Sequence, residues 1–236
     1  MKKAVVLISG GLDSTVLLAK AVKELGSTNV IALSIFYGQR HKKELECAKY
    51  QVEKYGVKWI QLDLSPIFAN AKSSLMGNSN KELPKGSYQE QLEENKIVDT
   101  YIPYRNGLFL SVATSIAYSE GADSVWYGAH LDDAKEGAVA YPDCSKEFVD
   151  LQNKTIWEGT GYSIRLEAPY VTNQMQKSDI VKLGHKLDVD FEHTWSCYDK
   201  KETHCGVCGT CIDRINAFKK AKIKDPTKYE TRDVQG

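Results

Sequence analysis

A short loop near the amino terminus, Ser9–Ser14 (Ser-Gly-Gly-Leu-Asp-Ser), combines residue types that bind phosphate. It lies between an apolar run and a helical pattern, where free N–H groups and the helix dipole favour an anion. Two successive glycines let the backbone approach a phosphate closely, and the serine hydroxyls can donate hydrogen bonds. The loop is neither a Walker loop nor a Gly-x-Gly-x-x-Gly loop. A tight turn with Ser14 as a simple N-cap is the alternative, but the complete string favours a phosphate-binding loop.

A second group with chemical potential is a cluster of four cysteines near the carboxyl terminus. Cys197, Cys205, Cys208 and Cys211 fall within fifteen residues, which is typical of a metal site rather than of disulfides in a reducing compartment. Four thiolates fill the tetrahedral coordination of Zn²⁺, and a closed coordination shell indicates a structural role. An iron–sulfur cluster is the alternative that the same ligands leave open.

Composition excludes several classes of protein. The chain of 236 residues has 31 basic and 31 acidic side chains, so its formal net charge is zero. This balance argues against nucleic acid or an anionic membrane surface as the main partner. The first apolar run ends at Ser9, too short for a signal peptide, and no run of about 18 apolar residues follows. We therefore expect a cytoplasmic protein.

The elements that must position these groups alternate between strand and helix. Apolar runs predict strands at 3–8, 30–36, 59–64, 124–129 and 164–168. Helical spacing predicts helices at 14–26, 42–55, 106–120, 177–187 and 212–220, with another beginning near Ser145. The polar stretch 65–100 has no clear period and is predicted to be a long loop.

This alternation predicts an α/β fold with a doubly wound parallel sheet. We expect a domain at 1–190 that carries the phosphate loop and a small zinc-binding lobe at 191–236 packed on it as one unit.

The Ser9–Ser14 string resembles the pyrophosphate loop of the PP-loop ATP pyrophosphatases, whose fold is of the adenine nucleotide alpha hydrolase type. Those enzymes split ATP between the α and β phosphates and leave AMP on a carboxyl or carbonyl oxygen. The resemblance implies ATP and Mg²⁺ as cofactors, with Asp13 and Ser14 as catalytic residues. The nucleotide-binding residues that it implies are Ile8, Ser9, Gly10, Gly11, Leu12, Asp13, Ser14, Thr15, Val16, Leu17 and Leu18.

Four further segments narrow the resemblance within this superfamily. They are 37–41 (Tyr-Gly-Gln-Arg-His), 102–106 (Ile-Pro-Tyr-Arg-Asn), 141–144 (Tyr-Pro-Asp-Cys) and the cysteine cluster. In this order they resemble the QueC family, the 7-cyano-7-deazaguanine synthases, from Val5 to Tyr229. Tyr104 stands where the family more often has glycine, and 128–140 is longer than in many members.

Three basic residues are candidates for binding anions. Arg40 and Arg105 can each bind a phosphate or a carboxylate bidentately, and we assign Arg40 to substrate and Arg105 to catalysis. Lys177 begins a predicted helix and resembles the lysine with which the family neutralises pyrophosphate, so it is also a catalytic candidate. Ordinary surface positions are the alternative for all three.

The other candidates for binding substrate are Tyr104, Asp132 and Asp143. Asp132 follows the fourth predicted strand, at the edge where open α/β sheets bind ligands, and could face Mg²⁺ or a ring N–H. Asp143 could accept hydrogen bonds from a guanine-like edge. A solvated acidic loop and an Asx-turn after Pro142 are the respective alternatives.

The resemblance implies that 7-carboxy-7-deazaguanine and ammonium are converted into the nitrile by two successive adenylations through an amide. No glutaminase signature is visible, which suggests free ammonium as nitrogen donor. A homodimer is common in the family. Alternatives are an enzyme that stops at the amide or uses another amine, a tRNA thiolase of the same superfamily, and a zinc-bearing module that binds RNA.

Overall fold

Within the residues that the computed structural model describes, 2–94, 97–130, 140–199 and 202–231, the chain forms a five-stranded parallel sheet. The strands are β1 (Ala4–Leu7), β2 (Val30–Phe36), β3 (Lys58–Asp63), β4 (Ser124–Trp126) and β5 (Arg165–Glu167). The helices are α1 (Leu12–Leu25), α2 (Lys43–Tyr55), α3 (Tyr88–Glu94), α4 (Arg105–Ser119), α5 (Lys146–Gly159), α6 (Pro169–Thr172), α7 (Lys177–Lys186) and α8 (Gly209–Ala221).

The sheet has the strand order β3-β2-β1-β4-β5, so the direction of winding reverses between β1 and β4. Residue Val6 of β1 pairs with Ala32 of β2 on one side and with Trp126 of β4 on the other. In open α/β sheets a ligand binds outside the carboxyl ends of the strands at such a switch point. The predicted phosphate loop, which follows β1 directly, lies at this place.

Helices cover both faces of the sheet, which is why β1 is apolar on both. Ala4 and Val6 belong to a buried core with α1, α7 and α8, whereas Val5 faces a second core with α4 and α5. Alternate strand residues point to opposite faces, so a strand buried on both sides reads as a continuous apolar run. The doubly wound parallel fold predicted from the sequence is confirmed.

The predicted long loop at 65–100 is only partly correct, because it contains the short helix α3. Buried residues of this segment, Phe68, Leu75 and Met76, form a small cluster with Tyr37 and Ile102. Apolar residues at irregular spacing produce this cluster, and such spacing gives no periodic signal. These described residues of the segment therefore pack against Tyr37, which directly follows β2, and Ile102, which precedes α4.

The carboxyl-terminal segment packs on the rest of the fold through α8. Ala217 and Phe218 of this helix lie in the same core as Val16 of α1, and the ring of Phe218 meets Phe191 edge-on at 5.1 Å between centroids. The division into domains at 190 stays a prediction. No helix in the described part of the chain has the length and apolar character needed to cross a membrane.

Candidate active site

The loop after β1 has a backbone that only glycine permits at one position. Gly10 has φ of +89°, and a Cβ atom added there would lie 1.9 Å from the backbone oxygen of Glu44. The hydroxyl groups of Ser9 and Ser14 are 3.0 Å apart, and the Ser9 hydroxyl also accepts a hydrogen bond from the Gly11 N–H. The contact between the two serines thus holds the first and last residues of the loop together.

Helix α1 begins within the loop, at Leu12, and has no side-chain cap. Its N-cap is Gly11, not Ser14, and no side chain accepts a hydrogen bond from the first turn. The alternative in which Ser14 is an ordinary N-cap is therefore wrong, since Ser14 lies inside the first turn. Uncapped N–H groups at a helix N-terminus are suited to binding an anion such as phosphate.

The Asp13 carboxylate lies beside two basic side chains that the sequence places far away. Its Oδ2 atom is 3.4 Å from Lys177 Nζ and 3.7 Å from His130 Nε2. Burial alone would raise the pKa of Asp13, but the charges of Lys177 and His130 outweigh this effect and hold it below its usual range. The structure thus brings two predicted catalytic residues, Asp13 and Lys177, together at the start of α1.

An open cavity of about 260 Å³ extends from this loop along the carboxyl ends of the strands. This volume is close to the lower end of the range typical of small-molecule sites. Its wall includes the residues of the loop, four charged side chains and a set of aromatic rings. The charged residues are Asp13, Glu44, Arg105 and Lys177, and the aromatic ones are Tyr37, Tyr88, Phe109, Tyr127, Tyr141, Trp195 and Tyr198.

Arg105, at the first position of α4, is fixed in the wall by aromatic contacts. Its guanidinium lies 4.9 Å from the centroid of the Tyr37 ring and donates a hydrogen bond of 3.1 Å to the Tyr37 hydroxyl. Its Nε atom is buried and has no hydrogen-bond partner in the described part of the chain. A planar cation held in this way can bind a carboxylate or phosphate that enters the cavity.

A chain of hydroxyl groups includes three tyrosines of the cavity wall. Thr100 and Tyr141 are 2.7 Å apart, Tyr141 donates to Tyr88 at 3.2 Å, and Tyr88 lies 3.2 Å from Tyr198. These residues come from the 65–100 segment, from the stretch before α5 and from the cysteine-rich segment. Sequence analysis missed their joint role because only the tertiary fold brings them together.

Two predicted substrate residues have other partners in the structure. Arg40 donates its guanidinium hydrogen bonds to the backbone oxygens of Met76, Ser79 and Lys81, away from the cavity wall. Tyr104 is 57% exposed, and its ring packs over Gly107 outside the cavity. The structure does not bring either residue to the cavity, and their binding of substrate stays a prediction.

Asp143 is buried beneath the cavity wall rather than exposed in it. Its Oδ2 accepts a hydrogen bond of 3.0 Å from the backbone N–H of Asn106, in the first turn of α4. Burial raises the pKa of Asp143, although this hydrogen bond and Arg105 oppose the effect. In this geometry the carboxylate caps α4 and thereby supports the position of Arg105. The other predicted aspartate, Asp132, lies outside the described residues.

The four cysteines form one buried group. Their Sγ atoms all lie within 4.8 Å of one another, so that a single metal ion could contact all four. Backbone N–H groups of Asp199 and Cys205 donate to Cys197 Sγ, each at 3.3 Å. Such hydrogen bonds stabilise the thiolate form, which is the form that binds metal. The donor set fits a structural zinc ion.

The cysteine-rich segment also contributes directly to the cavity. The backbone N–H of Trp195 donates a 2.9 Å hydrogen bond to the backbone oxygen of Gly10 in the phosphate loop. Trp195, Ser196, Tyr198 and Thr210 all lie in the cavity wall. The segment that carries the four cysteines therefore forms part of the cavity wall.

Comparison with known proteins agrees with this geometry. The family model described as "Queuosine biosynthesis protein QueC" matches residues 3–222. The chain belongs to the QueC family. The resemblance that the sequence motifs suggested is thus confirmed for nearly the whole chain.

Individual members of the family match over most of their length. The 7-cyano-7-deazaguanine synthase of Caldicellulosiruptor saccharolyticus is 44% identical over 228 residues, which cover 97% of this chain and 96% of the relative. Proteins with the same name from Clostridium kluyveri and Archaeoglobus fulgidus are 41% and 39% identical, and cover 98% and 95% of this chain. These alignments cover 99% and 89% of the respective relatives. The QueC relatives thus include bacterial and archaeal proteins that span both the phosphate loop and the cysteine cluster.

Proposed function

We propose that this protein is an ATP-dependent ligase that converts 7-carboxy-7-deazaguanine and ammonium into 7-cyano-7-deazaguanine. The observation that carries the proposal is one cavity whose wall contains the phosphate loop, Arg105 and three tyrosines, Tyr88, Tyr141 and Tyr198. Membership of the QueC family and the name shared by its relatives support the same activity.

At the phosphate loop, Ser9–Ser14, the chain binds the triphosphate of ATP. The backbone N–H groups at the start of α1 and the hydroxyls of Ser9 and Ser14 face the departing pyrophosphate. Lys177 offsets its charge and is held in place by Asp13. When Mg²⁺ is bound it shares this charge, and the buried Asp13 Oδ1, without a hydrogen-bond partner among the described residues, is suited to hold it.

At Arg105 and the tyrosines of the cavity wall, the chain holds the planar acid. Arg105 binds the carboxylate and turns one of its oxygens towards the α phosphate, while the rings of Tyr88, Tyr141 and Tyr198 pack against the deazapurine. Attack by this oxygen on the α phosphate expels pyrophosphate and gives an acyl adenylate. A carboxylate becomes reactive towards ammonia only after such activation, because AMP is a far better leaving group than oxide.

Removal of the second oxygen requires the same activation again. The amide formed from the acyl adenylate is adenylated on its oxygen, and loss of AMP and protons then leaves the nitrile. An enzyme that stops at the amide is the second candidate, and the name that the relatives share, 7-cyano-7-deazaguanine synthase, favours the nitrile over it.

Several further features of the proposal concern the protein as a whole. We propose Zn²⁺ as the ion of the four-cysteine centre, since its closed thiolate set is typical of structural zinc. We also propose a cytoplasmic location and a homodimer. Neither nucleic acid nor a membrane is proposed as a partner, in keeping with the balanced charge.

Mass spectrometry of the reaction product tests the proposal directly. The protein is incubated with ATP, ammonium and 7-carboxy-7-deazaguanine. We expect a product with the mass of the nitrile, together with two AMP for each nitrile. A parallel reaction without ammonium is the control and should accumulate no product beyond the adenylate. Detection of the amide alone as end product would support the second candidate, and consumption of no ATP would contradict both.

A further inference from the structure

One carboxylate in the cavity has no role in the chemistry described so far. Among the described residues, the acidic side chains in the cavity wall are Asp13 and Glu44. Asp13 is paired with Lys177. Glu44, in the first turn of α2, has no hydrogen-bond or ion-pair partner in the described part of the chain. A partly buried carboxylate without a partner is costly unless a ligand or a proton uses it.

The position of Glu44 is set by close contact between its helix and the nucleotide loop. The backbone oxygen of Glu44 lies so near Gly10 that the loop could not carry a side chain there. Its carboxylate lies near enough to Arg105 for the two charges to interact. Glu44 therefore lies in the cavity wall, beside the phosphate loop and within electrostatic range of Arg105, the group proposed to bind the carboxylate.

We propose that the Glu44 carboxylate binds the ammonium ion used as nitrogen donor and accepts one of its protons. This inference rests on the proposed function, because it assumes an acyl adenylate in this cavity. Ammonium has no lone pair and cannot attack a carbonyl carbon until it has lost a proton. A cation that must be bound and deprotonated beside the acyl carbon requires an anionic base at that place.

The step balances with the groups named. Glu44 takes one proton from ammonium, and the resulting ammonia forms a C–N bond with the acyl carbon. The C–O bond to AMP then breaks, and the nitrogen loses its second proton to the departing phosphate. The products are the amide, AMP and a protonated Glu44, which returns its proton to solvent through the open cavity.

The surroundings of Glu44 suit it to this exchange of protons. Burial raises the pKa of Glu44 to about 7, although the charge of Arg105 opposes the effect. Within the described part of the chain, the titratable groups that interact with it are Arg105 from α4, the Tyr37 hydroxyl just after β2 and Cys47 one turn along α2. A general base is most effective when its pKa lies near the working pH. We expect ammonium-dependent activity to rise as the pH passes through neutrality and Glu44 becomes ionised.

The test compares Glu44→Gln with Glu46→Gln, an exposed glutamate of the same helical turn. Exchange of pyrophosphate into ATP with the acid reports adenylation alone, and we expect Glu44→Gln to leave it unchanged. Amide formation at subsaturating ammonium should fall about a hundredfold, the usual contribution of a general base. Hydroxylamine is neutral at neutral pH and needs no deprotonation before attack, so hydroxamate formation should persist. Glu46→Gln should resemble the unmodified protein in all three assays.

Other outcomes overturn the inference. Unchanged ammonium-dependent activity would exclude Glu44 as the base, and a parallel loss of exchange or of hydroxamate would place it in binding the acid or ATP. If Glu44→Gln fails to fold, Glu44→Asp keeps a carboxylate and should raise the KM for ammonium while exchange is retained; an unchanged KM would overturn the inference. If the unmodified protein shows neither exchange nor hydroxamate with 7-carboxy-7-deazaguanine, the proposed function fails instead.

Discussion

At the scale of single residues, the Asp13–Lys177 pair and the Ser9–Ser14 contact fix the groups that we propose to face the phosphates of ATP. The Ser14 hydroxyl lies 3.0 Å from Ser9 and also donates to the Gly11 oxygen, yet it supports no part of the apolar core. Its removal therefore affects the loop and not the stability of the fold.

We expect Ser14→Ala to reduce turnover about 10²–10³-fold, the effect typical of losing one donor to a developing anion. The melting temperature should stay close to that of the unmodified protein. Pyrophosphate exchange and thermal unfolding, measured on the same preparation, check the two parts. Ser115→Ala, at an exposed position on α4, is the matched control and should leave both quantities unchanged. Near-normal exchange in Ser14→Ala would remove the assignment of the loop to ATP.

At the scale of elements, the segment that carries the four cysteines also forms part of the cavity wall. Tyr198 follows the ligand Cys197 directly and lies in the cavity wall, and Trp195 donates a hydrogen bond to the nucleotide loop. A disturbance of the four-cysteine group must therefore reach the cavity in which we propose that the acid and ATP bind.

We expect Cys208→Ser to lower the melting temperature and also to raise the KM for the acid in whatever fraction stays folded. Loss of one ligand weakens metal binding, and part of the binding free energy of a structural metal is folding free energy. Metal analysis, thermal unfolding and steady-state kinetics check this expectation. Cys47→Ser is the control, because Cys47 is neither one of the four clustered cysteines nor part of the cavity wall. One zinc ion per chain in the unmodified protein, and less in Cys208→Ser, is the expected metal content.

The elements also show what the sequence could predict. Strands β1 and β2 are continuous apolar runs because both of their faces are buried, and the motif that follows β1 predicted the phosphate loop. Glu44, by contrast, stands in a polar helical turn that resembles any solvated surface. Tyr88 and Tyr198 come from segments 110 residues apart, and only their tertiary packing places them side by side. Local patterns indicate burial and turns, but they do not indicate which distant side chains share a cavity.

At the scale of the whole molecule, the strand order places the phosphate loop at the switch point of the sheet. The sequence contains a single Ser-Gly-Gly-x-Asp-Ser string, and it forms part of the wall of the cavity that also holds Arg105. If two oxygens must be removed from one carbon, both activations take place at this loop. The amide intermediate must then stay in the cavity, or bind again, while AMP and pyrophosphate are replaced by a second ATP.

We therefore expect two ATP to be consumed, and two AMP and two pyrophosphate to be released, for each nitrile formed. Synthetic amide supplied in place of the acid should be converted with one ATP, because the first activation has already been carried out. Quantitative chromatography of nucleotides and product checks both ratios. In a reaction limited by ATP, an intermediate that leaves the cavity accumulates in solution, whereas a retained one does not. A ratio of one ATP per final product from the acid would mean that the chemistry ends at the amide, and that this fold performs one activation and not two.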